Sequence, residues 1–199
     1  MKVPVTVYAE MTPNPKTMKF VANKYLLVPG DSVEFVNLAE AKGHSPLAEA
    51  LFAFPFVKGV FLAANFVTIS ISEDISWDYV QMELRDFVRE WLAEGNEVLV
   101  KMPAPKPFET KSSEAEGKTY EPSEYDEAIR DLLDEYVRPA VENDGGAIDF
   151  RSYEEGIVTV VLRGACSGCP SSTATLKGGI ETLLKSHLPA VKEVVAEEA

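Results

Sequence analysis

Residues 163–173 read RGACSGCPSST and hold both cysteines of the chain, Cys166 and Cys169, separated by two residues. Upstream, Ile157 to Leu162 has the apolar, β-branched character of a strand. Downstream, Pro170 suits the first position of a helix, and Leu176, Ile180, Leu183, Leu184 and Leu188 then fall on one helical face. The pair is therefore expected between a strand end and a helix N-terminus, where free backbone amides and the positive end of the helix dipole favour anions. Thiolates should be stabilised there, with the lowered pKa that a soft-metal ligand or a redox nucleophile requires. Ser171, Ser172 and the first helical amides stand where they could donate hydrogen bonds to sulfur.

Four uses of such a pair compete: incidental packing, a thioredoxin-like dithiol, a zinc site and an iron-sulfur site. Packing explains poorly two close thiols flanked by glycine at a helix start. Against the dithiol stand a preceding hairpin in place of a βαβ unit, and a proline that follows the second cysteine instead of lying between the two. Zinc and iron-sulfur sites typically take about four protein ligands. The chain offers two thiolates and two histidines. His44 lies far upstream and His187 near the far end of the helix, so both are expected in solvated or capping roles. Two copies meeting across a two-fold axis would supply four sulfurs.

Working outward, the segment 123–199 reads in the order helix, strand, strand, helix, strand. Ser123 is expected to cap the first helix with Asp126 in the reciprocal position, and Ala128, Ile129, Leu132, Leu133, Tyr136, Val137 and Val141 form its buried stripe. Pro139 should kink it. Asp144-Gly145-Gly146 then reverses the chain, Ala147–Tyr153 and Ile157–Leu162 pair through a tight turn at Glu154-Glu155-Gly156, and VKEVV from Val191 closes as a strand. Gly178-Gly179 inside the last helix is read as close packing on the sheet, with approach to a second subunit as the alternative.

Met102 to Pro122 carries four prolines among Lys, Glu and Ser with almost no apolar periodicity, the composition of an extended linker. The expected domains are thus 1–100 and 123–199, joined by 101–122, and both are α+β. In the first, Val3, Val5 and Val7 alternate like a strand. VFLAANFVTISIS reads as a hairpin turning near Asn65, Ser45-Pro46 opens a short helix, and a longer helix runs from Ser76 to Gly95. MTPNP, Met11 to Pro15, reads as a rigid turn.

The net charge is −13, so phosphate backbones and anionic lipid surfaces are not the expected partners. No apolar run is long enough to cross a bilayer, and the first residues resemble neither a signal peptide nor a transit sequence. A cytoplasmic location is expected.

The second domain, from LLDEYVRPAVENDGGAIDF through GACSGCPSSTATLKGGIETLL to LPAVKEVV, resembles the NifU C-terminal domain of Nfu-type iron-sulfur cluster proteins. The first, with AEMTPNPKTMKF, SPLAEALF and FVKGVFLAANFVTIS, is similar to the Nfu N-terminal domain. The resemblance implies a non-enzymatic carrier. Paired CxxC motifs would hold a 4Fe-4S cluster between two protomers, with Cys166 and Cys169 the only ligands from each chain. It would receive clusters from an upstream scaffold and deliver them to apo-proteins, with the first domain docking donors or recipients. A ligand count alone does not distinguish 2Fe-2S from 4Fe-4S. A dithiol-disulfide oxidoreductase and a zinc-bridged interaction module remain the alternatives.

Overall fold

The computed structural model describes residues 4–103, 123–167 and 170–198. Residues 104–122 of the expected linker lie outside the described residues, and so does Cys169. The chain forms two α+β domains.

The first domain contains β1 (Val7–Met11), β2 (Thr17–Ala22), β3 (Ser32–Phe35), α1 (Leu38–Ala41), α2 (Pro46–Leu51), β4 (Val57–Ala63), β5 (Phe66–Ile71) and α3 (Trp77–Glu94). Its sheet has the order β1-β2-β5-β4-β3, with every neighbouring pair antiparallel. Because side chains alternate across a strand, each central strand is divided between two faces. Met18, Phe20 and Ala22 of β2, Val60 and Leu62 of β4, and Val67 and Ile69 of β5 pack under α2 and α3, against Leu47, Leu51, Leu84 and Val88. Each large apolar side chain buried there stabilises the domain by about 1.5–3 kcal/mol. Their neighbours Val21, Phe61, Ala63 and Phe66 point the other way and are buried with Ala147 of the second domain. The sheet is thus covered on both faces, and β2 is buried along its whole length.

Both expected helix starts in this domain are present. The Ser45 and Ser76 side chains accept from the amides of Ala48 and Asp78, and Gly95 ends α3 in the left-handed region at φ 82°. Two details differ. Among the described residues the first strand begins at Val7, past the expected Val5, and Val3 lies outside the described residues. In the β4–β5 hairpin the left-handed residue is Ala64, at φ 26°, whereas Asn65 clamps the turn to β2 by donating from Nδ2 to the Ala22 carbonyl at 3.2 Å.

The second domain contains α4 (Asp126–Leu132), a π-helical turn (Leu133–Val137), α5 (Arg138–Asn143), β6 (Gly146–Glu154), β7 (Ile157–Gly164), α6 (Pro170–His187) and β8 (Glu193–Glu198). Its sheet has the order β6-β7-β8, antiparallel and then parallel. Pro139 explains the π turn: it has no amide hydrogen for the helical ladder, and the Arg138 amide bonds instead to the Leu133 carbonyl five residues back. The core gathers Ile129, Leu133, Val137 and Val141 against Ile148, Val160 and Leu162, with Ile180 and Leu184 of α6 and Val194 of β8.

Ser123 does not cap α4 as expected. The helix starts at Asp126, the Ser123 hydroxyl accepts from the Tyr125 amide at 3.1 Å, and Asp126 Oδ1 is buried without a hydrogen-bond partner among the described residues. Gly178 and Gly179 are exposed, and a β-carbon at either would meet nothing within 4 Å. Packing on the sheet therefore does not explain them.

Candidate functional site

Cys166 stands two residues beyond β7, 7% exposed, with its side chain in the core of the second domain. The Asp144-Gly145-Gly146 reversal puts the start of β6 beside it. A β-carbon at Gly146 would lie 2.8 Å from Cys166 Sγ and 2.6 Å from the Arg163 carbonyl oxygen, so only glycine permits this approach. The Ala165 amide donates to the Gly145 carbonyl at 3.2 Å, the Ser167 hydroxyl donates to the Gly164 carbonyl at 2.8 Å, and the Thr173 hydroxyl donates to the Cys166 carbonyl at 3.3 Å.

The expected lowering of the thiol pKa is overturned for Cys166. Burial pushes it up to about 11, and the nearby negative charge of Asp144 adds to the rise. Desolvation outweighs the helix terminus because the side chain is folded into an apolar core. The side chains of Ser171 and Ser172, expected near the sulfurs, lie outside the described residues.

The turn is also gripped from the first domain. Asn14, buried within MTPNP, donates from Nδ2 to the carbonyls of Ala165 and Ser167, both at 3.4 Å. The Thr68 hydroxyl of β5 donates to the Gly145 carbonyl at 2.7 Å, and the Gly164 amide donates to Glu34 Oε1 at 3.2 Å. Lys19 is 7% exposed, yet its ammonium donates to the Asn143 carbonyl at 3.1 Å, pairs with Glu10 at 3.3 Å and sits 4.6 Å above the Phe66 ring centroid. Arg163 donates to the Ser32 carbonyl at 3.4 Å and pairs with Asp149. Burial lowers its guanidinium from the ordinary value, opposed by the charge of Glu34.

None of these inter-domain groups was singled out from the sequence as a site residue. Two signals pointed to them: a lysine inside the otherwise apolar TMKFVA, and an asparagine between the two prolines of MTPNP. The histidines lie elsewhere. His44 Nδ1 is 3.0 Å from the Lys101 carbonyl, and His187 Nδ1 is 3.0 Å from the Leu183 carbonyl in the last turn of α6. Among the described residues no group of three or more His, Cys, Asp and Glu side chains is arranged to hold a metal ion.

These features define a two-domain α+β protein with a thiol-bearing turn at the domain boundary. Residues 7–95 match the family model described as scaffold protein Nfu/NifU N terminal, and residues 129–195 match the NifU-like domain. The chain is 36% identical over 193 residues to NifU-like protein 4, mitochondrial, of Arabidopsis thaliana, covering 96% of this chain and 65% of the relative. It is 36% identical over 200 residues to the NFU1 iron-sulfur cluster scaffold homolog, mitochondrial, of Drosophila erecta, covering 98% and 68%. The solution structure of a NifU-like protein from Saccharomyces cerevisiae aligns at 26% identity with a TM-score of 0.45, over 49% of this chain and 87% of that one. The chain belongs to the Nfu/NifU-like family, and it spans about two thirds of the length of these curated relatives.

The cytoplasmic location expected from the sequence is overturned by the relatives, which are mitochondrial by name. Cysteine spacing reports the chemistry of the thiols and does not separate one reducing compartment from another. No described helix is long and apolar enough to cross a membrane.

Proposed function

We propose that this chain carries iron-sulfur clusters. Two copies would hold one 4Fe-4S cluster between them through Cys166 and Cys169 of each and pass it to apo-proteins. The single observation that supports this most is that the only two cysteines of a two-domain Nfu/NifU-like chain both fall in its NifU-like domain, in the sequence between the end of β7 and the start of α6. With two thiolates per chain against the roughly four ligands that such clusters take, the cargo itself clasps the dimer. Loading and association are then linked.

Transfer proceeds by ligand exchange without a change of oxidation state. Each acceptor thiol gives up its proton and bonds to iron, one carrier thiolate leaves, and that thiolate takes a proton. An acceptor that presents its ligands in one preformed pocket wins this exchange because it does not need two chains to meet. The carrier is not an enzyme in this scheme, since the cluster is cargo. Its donor is a scaffold that assembles clusters from iron and sulfide.

Dithiol-disulfide exchange is the second reading, and one observation favours it. β8 runs parallel to β7, so the turn opens a β-α-β unit, although β6 and β7 before it form the antiparallel hairpin expected from the sequence. The position of Pro170 after the second cysteine still stands against it.

Anaerobic incubation of the loaded chain with an apo-protein that needs a 4Fe-4S cluster tests the proposal. Activation of the acceptor with matching loss of colour from the carrier supports it. Disulfide reductase turnover by the metal-free chain, or retention of zinc alone, contradicts it.

A further inference from the structure

We infer that the outer face of the first domain's sheet is a docking surface for the cysteine turn of the second domain. It would hold Cys166 inward in the cluster-free chain and have to let go before a second copy can meet the turn. This rests on the carrier reading given above.

The surface recognises backbone more than side chains. Asn14, Thr68 and Glu34 reach the main chain of Ala165, Ser167, Gly145 and Gly164, so they read the shape of the turn. That shape needs a bare backbone as well. Gly145 sits at φ 83°, and a β-carbon on it would stand 2.9 Å from Thr68 Oγ1. Around these polar contacts Val21, Phe61, Ala63 and Phe66 are buried in one cluster with Ala147.

In this arrangement the Cys166 side chain is turned into its own domain's core against Gly146. A ligand shared with a second chain has to face that chain. The turn cannot keep its sulfur inward beneath the first domain and also present it to a partner copy. Docking of the first domain and bridging of two chains therefore exclude one another. The face that is freed carries apolar Val21, Phe61, Ala63 and Phe66 together with polar Asn14, Lys19, Glu34 and Thr68, which suits capture of a backbone segment of similar shape.

The test uses the full chain with Cys169→Ser, so that Cys166 is the sole thiol, and measures its alkylation by iodoacetamide under native conditions. Val21→Asp places a charge on the docking face without touching the core under α2 and α3, and Asn14→Ala removes the side-chain amide that holds the turn. Both variants are first confirmed as folded by circular dichroism. Loss of these contacts should raise the alkylation rate about tenfold in Val21→Asp and several-fold in Asn14→Ala. With both cysteines present, Val21→Asp should also take up iron and sulfide faster than the parent chain. Unchanged alkylation in folded variants overturns the docking surface, whatever the chain binds. Faster alkylation in a chain that never takes up iron leaves the surface standing and removes the carrier reading.

Discussion

The Thr68 hydroxyl donates to the Gly145 carbonyl at 2.7 Å, joining residues 77 positions apart across the boundary between the domains. The same carbonyl accepts the Ala165 amide at 3.2 Å, so one oxygen ties β5 of the first domain, the glycine reversal and the cysteine turn together.

Thr68→Val removes that donor while leaving Gly145 with its other partner. The full chain should lose about 1 kcal/mol of stability, the net worth of one such hydrogen bond, because no carbonyl is left unpaired. The midpoint of urea unfolding measures it.

Glycine substitutions should split by position. Gly146→Ala drives a β-carbon into backbone and the Cys166 sulfur and should cost about 1–3 kcal/mol, as overpacking does. Gly178→Ala and Gly179→Ala meet nothing, and each should stabilise the cluster-free chain by about 1 kcal/mol through helix propensity. If the two glycines serve close approach of a second chain, the same substitutions weaken the loaded dimer, which sedimentation of loaded and unloaded samples would show.

The Cys166 thiol sets a pH dependence. Its folded pKa is raised from 9.0 to about 11 by burial, with Asp144 adding to the rise, so the folded state favours the neutral thiol. That contribution to stability is intact below about pH 9 and is lost as pH rises through about 11. In Cys169→Ser, the alkylation rate of the cluster-free chain should keep climbing to about pH 11, and Asp144→Asn should shift the profile toward lower pH. A plateau already reached near pH 8 would contradict the sealed thiol.

Cys166→Ser and Cys169→Ser should each abolish cluster retention on anaerobic reconstitution while leaving far-ultraviolet circular dichroism unchanged. Serine nearly matches cysteine in volume but is a poor ligand for iron. A variant that retains its full complement of iron and sulfide would refute the ligand assignment.

What the sequence made legible was local. Ser45, Ser76 and Gly95 mark helix ends because capping chemistry acts within a few residues. The β6–β7 hairpin was evident because its turn, with Glu155 at φ 50° and Gly156 at φ 95°, is written in adjacent residues. The cysteine turn was legible for the same reason. β2 was missed as a strand because it lacks alternation: TMKFVA is buried on both faces, one of them by a domain that begins a hundred residues later. Asn14 and Thr68 gave no periodic signal, since their partners lie 151 and 77 positions away. The thiol pKa was misjudged because a helix terminus can be read from sequence, whereas the second core that buries the sulfur is built from every element of its domain.

Native mass spectrometry of the anaerobically loaded full chain tests the central claim most directly. The expected ion is two chains carrying one 4Fe-4S core, reverting to single chains when the metal is chelated. A single chain that holds a complete cluster by itself would contradict the account.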